Sequence, residues 1–181
     1  MTSASSYLYN ATHHRAYFRY ITILVPEHWA PSEEYEVAGQ ESIQHADIHI
    51  DANSWPHVKS YKNCGRVGLG MYIGKNLFTK TGFSPYGQRD RVIVHEWGHY
   101  RWGVFDEYPT GNDAQFYYSS DGRLKPVACS TAVEVRQSDI RRKDGTTDDE
   151  CVTDKSKCYY YINYSDQTAT GSIMFMQFIT S

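Results

Sequence analysis

The architecture of this chain turns on one continuous run, His95-Glu96-Trp97-Gly98-His99-Tyr100-Arg101-Trp102-Gly103-Val104-Phe105-Asp106-Glu107. Residues four apart on an α-helix lie one turn above each other on the same face, so a helix here offers the imidazoles of His95 and His99 to one metal ion. Glu96 falls about 100° around the axis, suited to reach a metal-bound water rather than the metal. In that division of labour zinc lowers the pKa of its water and polarises a carbonyl, while the glutamate takes the water's proton and passes it to the leaving amine. A catalytic zinc also needs a third protein ligand beside an open position. Gly103 suits a left-handed helix cap, after which the chain can reverse and bring Asp106 back toward the metal. Glu107 competes for that role, and the sequence separates the two only weakly. The helix is expected to start between Gln88 and Asp90 and to end near Trp102.

Outward from this helix, residues from about Ser3 to His14 read as a helix with Tyr7, Leu8 and Ala11 on one side. The β-branched and aromatic run Ala16 to Val25, stopped by Pro26, reads as a central strand. A loop from Glu27 to Gln44, with a short helix near Ser32 to Val37, leads to a half-buried strand at Ala46 to Asp51. There Ile48 and Ile50 are expected on one side and His49 on the other. Residues 53–66 read as a loop, and Val67 to Ile73 as a short strand whose glycines admit a close backbone neighbour. At a sheet edge that strand could accept an extended peptide. Gly82 to Gly87 reads as a turn region. Tyr108 to Asp166, rich in Gly, Ser, Asp and Tyr, reads as an irregular subdomain stapled by disulfides. The apolar run Gly171 to Ile179 is expected to be buried.

With 181 residues, 40% apolar and 15% aromatic, the chain can bury a core and fits one domain. A net charge of −3 without a basic stripe argues against nucleic acid as a partner. Arg141-Arg142-Lys143 runs into acidic residues and reads as a solvated loop, and no apolar run is long enough to span a bilayer. Cys64, Cys129, Cys151 and Cys158 form no C-x-x-C pair, which favours two disulfides over a cysteine zinc module. The triplets Asn10-Ala11-Thr12 and Asn163-Tyr164-Ser165 have the form of glycosylation acceptors and agree with an oxidising compartment. His13, His14, His28, His45, His49 and His57 lack the spacing of a metal site. The acids from Asp144 to Glu150 lack that of an EF-hand loop.

The thirteen residues His95 to Glu107, continued by Tyr108, resemble the H-E-x-x-H-x-x-x-G-x-x-D-E signature of the calcium-activated chloride channel regulator (CLCA) family, in its N-terminal metalloprotease domain. Tyr20 to Trp29 is similar to that family's early strand, Asn63-Cys64-Gly65 to its cysteine-glycine turn, and Ser172 to Gln177 to its methionine turn. The resemblance implies an α/β (α+β), metzincin-like zinc protease fold, a twisted mixed sheet packed against the zinc-binding helix. It implies Zn2+ on His95, His99 and Asp106, Glu96 as general base, and Met174 as the turn methionine. Relative to ordinary metzincins there is one extra residue before the glycine, and Asp stands in place of a third histidine. Both departures belong to the family.

The resemblance further implies a secreted or cell-surface glycoprotein acting on a peptide or protein substrate, its own chain included, with a chloride channel protein as partner and no membrane insertion. Residues 1–181 are expected to form a single such domain, truncated at both ends. The alternative function is a non-catalytic, metal-stabilised interaction module in channel regulation.

Overall fold

A computed structural model describes residues 1–59, 64–79, 86–110, 113–114, 116–122, 124–127, 140–142, 158–160, 171–175 and 177. The chain is mixed α/β and forms two compact units, residues 1–84 with 89–104, and residues 85–88 with 105–181.

The first unit carries α1 (Thr2–Ala11), a 3-10 turn (Ile43–His45), β1 (Ile48–Asp51), β2 (His57–Lys59), β3 (Gly70–Gly74), the short α2 (Asn76–Thr79) and α3 (Arg89–Trp102). The three strands form a small mixed sheet in the order β1-β3-β2, with β3 parallel to β1 and antiparallel to β2. A central strand is screened on both edges, and four of the five residues of β3, Met71 and Ile73 among them, are buried. Helix α3 packs on β2 and β3 on one side and on α1 on another. Val92, Ile93 and Val94 of α3, Leu8 and Ala4 of α1, Val58, Met71 and Ile73 make the apolar core that holds it. Burying an aliphatic side chain of this size contributes roughly 1.5–3 kcal/mol relative to exposure.

Glycine permits the close approaches that the sheet needs. A Cβ on Gly68 would stand 2.7 Å from Val58 Cγ1 and 3.3 Å from the Lys59 carbonyl oxygen, where Leu69 N–H donates to Lys59 O at 2.9 Å. One on Gly74 would stand 2.2 Å from the Ser54 carbonyl oxygen. Across the sheet the register His49↔Tyr72↔His57 stacks rings, with His49 4.7 Å and His57 5.1 Å from Tyr72 and Trp55 4.7 Å from His57.

Several sequence expectations change. Residues 16–25 form no strand and have no strand partner among the described residues, and Tyr20, Ile21 and Ile23 are 82%, 47% and 76% exposed. Composition makes a segment fit for a sheet, but only a neighbour's N–H and C=O groups make it a strand. Phe18 is nevertheless tied down, its N–H donating to Ser5 Oγ at 3.0 Å. The helix expected at 32–37 is a turn, and the loop expected at 53–66 contains β2. Because β3 is central, its edges are already taken and it cannot add a peptide strand. Ile50 is 62% exposed, whereas Ile48, expected on the same side, is half-buried.

The second unit contains two antiparallel pairs among its described residues, β4 (Phe116–Tyr118) with β5 (Leu124–Pro126) and β6 (Ile140–Arg142) with β7 (Cys158–Tyr160). The segment expected to be irregular is therefore partly paired, and Arg141 and Arg142 sit on a strand. Of the run expected to be buried, Met174 and Phe175 are buried, Gly171 and Ser172 are exposed, and Met176, Phe178 and Ile179 lie outside the described residues. Cys64 is exposed and free, which removes it from the expected pair of disulfides. Cys129, Cys151, the Cys158 side chain, the Gly82–Pro85 part of the turn region and the Asn163 triplet lie outside the described residues. Asn10 falls in the last turn of α1, within the helix expected from about Ser3 to His14.

Candidate metal centre

Helix α3 ends as the glycine rule requires. Gly103 adopts φ 62°, the left-handed region that a side chain disfavours, while its N–H still donates to His99 O at 3.0 Å. The last turns of a helix leave carbonyls without helical partners. Here Gly68 N–H donates to Tyr100 O at 2.7 Å and Gly65 N–H to Trp102 O at 2.9 Å, so the segment before β3 caps the helix. The helix is further moored by the Tyr100 hydroxyl, which donates to the Asp47 carboxylate just before β1. Burial, with the Asp47 bond and charge adding to it, pushes the Tyr100 phenol up to about 12.

His95 and His99 are 2% and 4% exposed, and Glu96 is 6% exposed. Burying two imidazoles and a carboxylate together is costly without compensating partners. The reversal at Gly103 supplies one, since Val104 O lies 2.7 Å from His99 Nδ1. A carbonyl oxygen only accepts, so Nδ1 carries the proton and the lone pair of the neutral ring sits on Nε2. That atom is 3.1 Å from His95 Nε2, with the two rings at 88° to one another. Metal-binding histidines are held this way, the far nitrogen donating to a carbonyl or carboxylate.

One ligand atom each from His95, His99 and Asp106 lies within 4.8 Å of the others, a group that could hold a metal ion. Two imidazoles and one carboxylate form a donor set that suits zinc. Glu107, the competitor, is engaged elsewhere: its N–H donates to Met174 O at 3.0 Å and its Oε2 accepts from Ser172 Oγ at 2.5 Å. Ser172 Oγ also accepts from Met174 N–H at 3.0 Å, and Phe175 N–H donates to Ser172 O at 3.0 Å, closing a tight turn around Met174. The sequence reading missed the Val104 carbonyl and Ser172. A backbone acceptor leaves no side-chain signature, while Ser172 was visible only as part of the methionine-turn resemblance.

A family model described as Calcium-activated chloride channel N terminal matches residues 1–181. The chain belongs to the calcium-activated chloride channel regulator family. It is 34% identical over 194 residues to calcium-activated chloride channel regulator 1 of Mus musculus, covering 100% of this chain and 21% of that protein. It is 35% identical over 192 residues to regulator 2 of Homo sapiens, covering 100% and 20%, and 36% identical over 196 residues to regulator 3A-1 of Mus musculus, covering 100% and 21%. This regulator-family chain thus spans about a fifth of the length of these curated relatives. No solved structure matches it. Among its described residues no helix is long and apolar enough to cross a membrane.

Proposed function

We propose that this chain is the N-terminal, metzincin-like zinc metallopeptidase domain of a calcium-activated chloride channel regulator, hydrolysing peptide bonds, those of its own longer chain included. The observation that carries the reading is the convergence of His95, His99 and Asp106 donor atoms within 4.8 Å. Bound there, zinc supplies Lewis acidity, lowering the pKa of a water and polarising a peptide carbonyl. His99 is held in the tautomer that leaves Nε2 as its ligand atom by its bond to Val104 O. His95 shares its helix face, and Asp106 is the third ligand. Glu96, one residue on from His95, is the general base that takes the proton from the attacking water and delivers it to the leaving amine nitrogen. Glu107 braces the turn around Met174 through Ser172.

The relatives are named as chloride channel regulators, which supports a channel-related partner for the full-length protein. Secretion to the cell surface as a glycoprotein fits the acceptor triplet at Asn10. The same names favour a second reading, a metal-stabilised interaction module without catalysis.

Metal analysis of the folded chain tests the centre first, with about one zinc per chain expected for a filled site of this type. Clearly substoichiometric zinc after dialysis against zinc-containing buffer would sink both readings. Glu96→Gln then separates them: a protease loses peptide hydrolysis and keeps its zinc, whereas an interaction module shows no hydrolysis in either form. Asp106→Ala should weaken zinc binding and Glu107→Gln should not; the reverse pattern would give the third-ligand role to Glu107.

A further inference from the structure

The first unit has an open cleft of about 430 Å³ that the metal centre does not use. Leu8 of α1, Phe18, and Trp97 and Trp102 of α3 are its apolar part, and Arg15, Arg19 and Arg101 are its charged part. At about 100° per residue, Trp97 and Arg101 fall roughly opposite His95 and His99 around α3, and none of His95, His99 and Asp106 lines the cleft, so it is a separate feature of the same helix.

Its composition is unusual for a chain of net charge −3. All three arginines are exposed, none is ion-paired with a carboxylate among the described residues, and no acidic side chain lines the cleft. Arg19 rests over the Tyr20 ring at 5.0 Å, which steadies its guanidinium without neutralising it. The floor is fixed: Leu8 is 1% exposed, the Phe18 and Trp97 rings meet edge-on at 5.1 Å, and Phe18 N–H is held by Ser5 Oγ at 3.0 Å. Guanidiniums offer paired N–H donors to carboxylate, sulfate or phosphate, and the rings beside them offer a face to an apolar body. Ligand sites of this kind combine a mainly apolar lining with a few convergent polar groups, in volumes of roughly 300–1,000 Å³.

We propose that this cleft binds a small organic anion, an aromatic body carrying a sulfate, phosphate or carboxylate, with Arg15 and Arg101 gripping the anionic group and Trp97, Trp102 and Phe18 receiving the ring. The ligand is either a free molecule or the modified tyrosine of a peptide, since both present the same chemistry.

Two of the four tryptophans line the cleft, so intrinsic fluorescence reads its occupancy directly. Titration with phenyl sulfate and phenyl phosphate should give saturable quenching, at least about tenfold tighter than with phenol or inorganic phosphate, the loss expected when either half of the recognition is absent. A short sulfotyrosine peptide binding more tightly than phenyl sulfate would assign the ligand to a peptide; the reverse order would assign it to a free anion. Arg15→Gln with Arg101→Gln should weaken phenyl sulfate about tenfold or more, while far-UV circular dichroism and the unfolding midpoint stay unchanged, because both side chains are exposed. In the unaltered protein, raising salt from about 0.05 M to about 0.5 M should weaken phenyl sulfate and leave phenol unaffected. Equal affinity for phenol and phenyl sulfate, insensitivity to salt, or a doubly substituted protein that binds as well as the original would overturn the assignment.

Discussion

Tyr100→Phe tests how α3 is held to the sheet that supports the candidate metal site. The Tyr100 hydroxyl donates to Asp47, fifty-three residues earlier in the chain, and the phenol is pushed up to about 12 from an ordinary 10.0. A hydrogen bond to a charged acceptor contributes about 1.5–3 kcal/mol, and two pKa units correspond to about 2.7 kcal/mol. Asp47 is exposed, so water screens the bond and rehydrates the carboxylate when the hydroxyl is removed. The expected loss is therefore about 1–2 kcal/mol at neutral pH. The phenol's folded pKa lies above its unfolded value, so its stabilisation is fully present below pH 10 and is lost as the pH rises through about 12. Urea unfolding followed by circular dichroism, run on both proteins from pH 7 to 12, should show a gap of about 1–2 kcal/mol that closes above pH 10. Subtracting one protein from the other cancels the remaining tyrosines. A gap below about 0.3 kcal/mol at pH 7, or one that stays constant across the alkaline range, would refute the reasoning.

Gly74→Ala should destabilise the first unit by about 3 kcal/mol or more, read as a lowered urea midpoint, since its Cβ would meet the Ser54 carbonyl oxygen at 2.2 Å and backbone must move. Gly103→Ala forces a side chain into φ 62°, at a cost of about 1–2 kcal/mol, and should lower zinc affinity by loosening the reversal that places Val104 O on His99; isothermal titration with zinc checks this. Asp51 is held below the usual carboxylate range by the Ser54 hydroxyl first and by the Ser54 and Asn53 amides next. Its contribution is present above the unfolded pKa and lost as pH falls through the folded one, so Asp51→Ala should differ from the parent at neutral pH and converge with it in acid, as thermal melts at several pH values would reveal. Chelation of the metal should lower the melting temperature of the parent and leave that of His95→Ala with His99→Ala unchanged, because a ligand stabilises only the state that binds it.

The local consequences of His95 through Glu107 were legible without coordinates: a helix from Arg89 to Trp102, its stop at Gly103, and two imidazoles on one face. Each rests on contacts within one or two turns, where i,i+4 geometry and the preference of glycine for positive φ act directly. Residues 16–25 carry the composition of a strand and are not one, while His57–Lys59 was read as part of a loop and is the strand β2. The difference is that a strand is a property of a pair, and its partner lies far along the chain.

The choice between Asp106 and Glu107 shows the same limit within the site. As neighbouring carboxylates they offer the same chemistry, and the sequence alone separated them only weakly. The tertiary structure engages Glu107 with Ser172 and Met174, about sixty-five residues onward, and puts Asp106 with the histidines in a group that could hold a metal ion, which supports Asp106 for the proposed role. The sequence by itself determined the candidate ligand residue types, the helix that presents the histidines and the glycine that ends it, because those depend on neighbours. Only the fold could decide which strand is central, which carboxylate bonds to Ser172 and where the arginines of the cleft gather, because those depend on residues that meet across long stretches of chain.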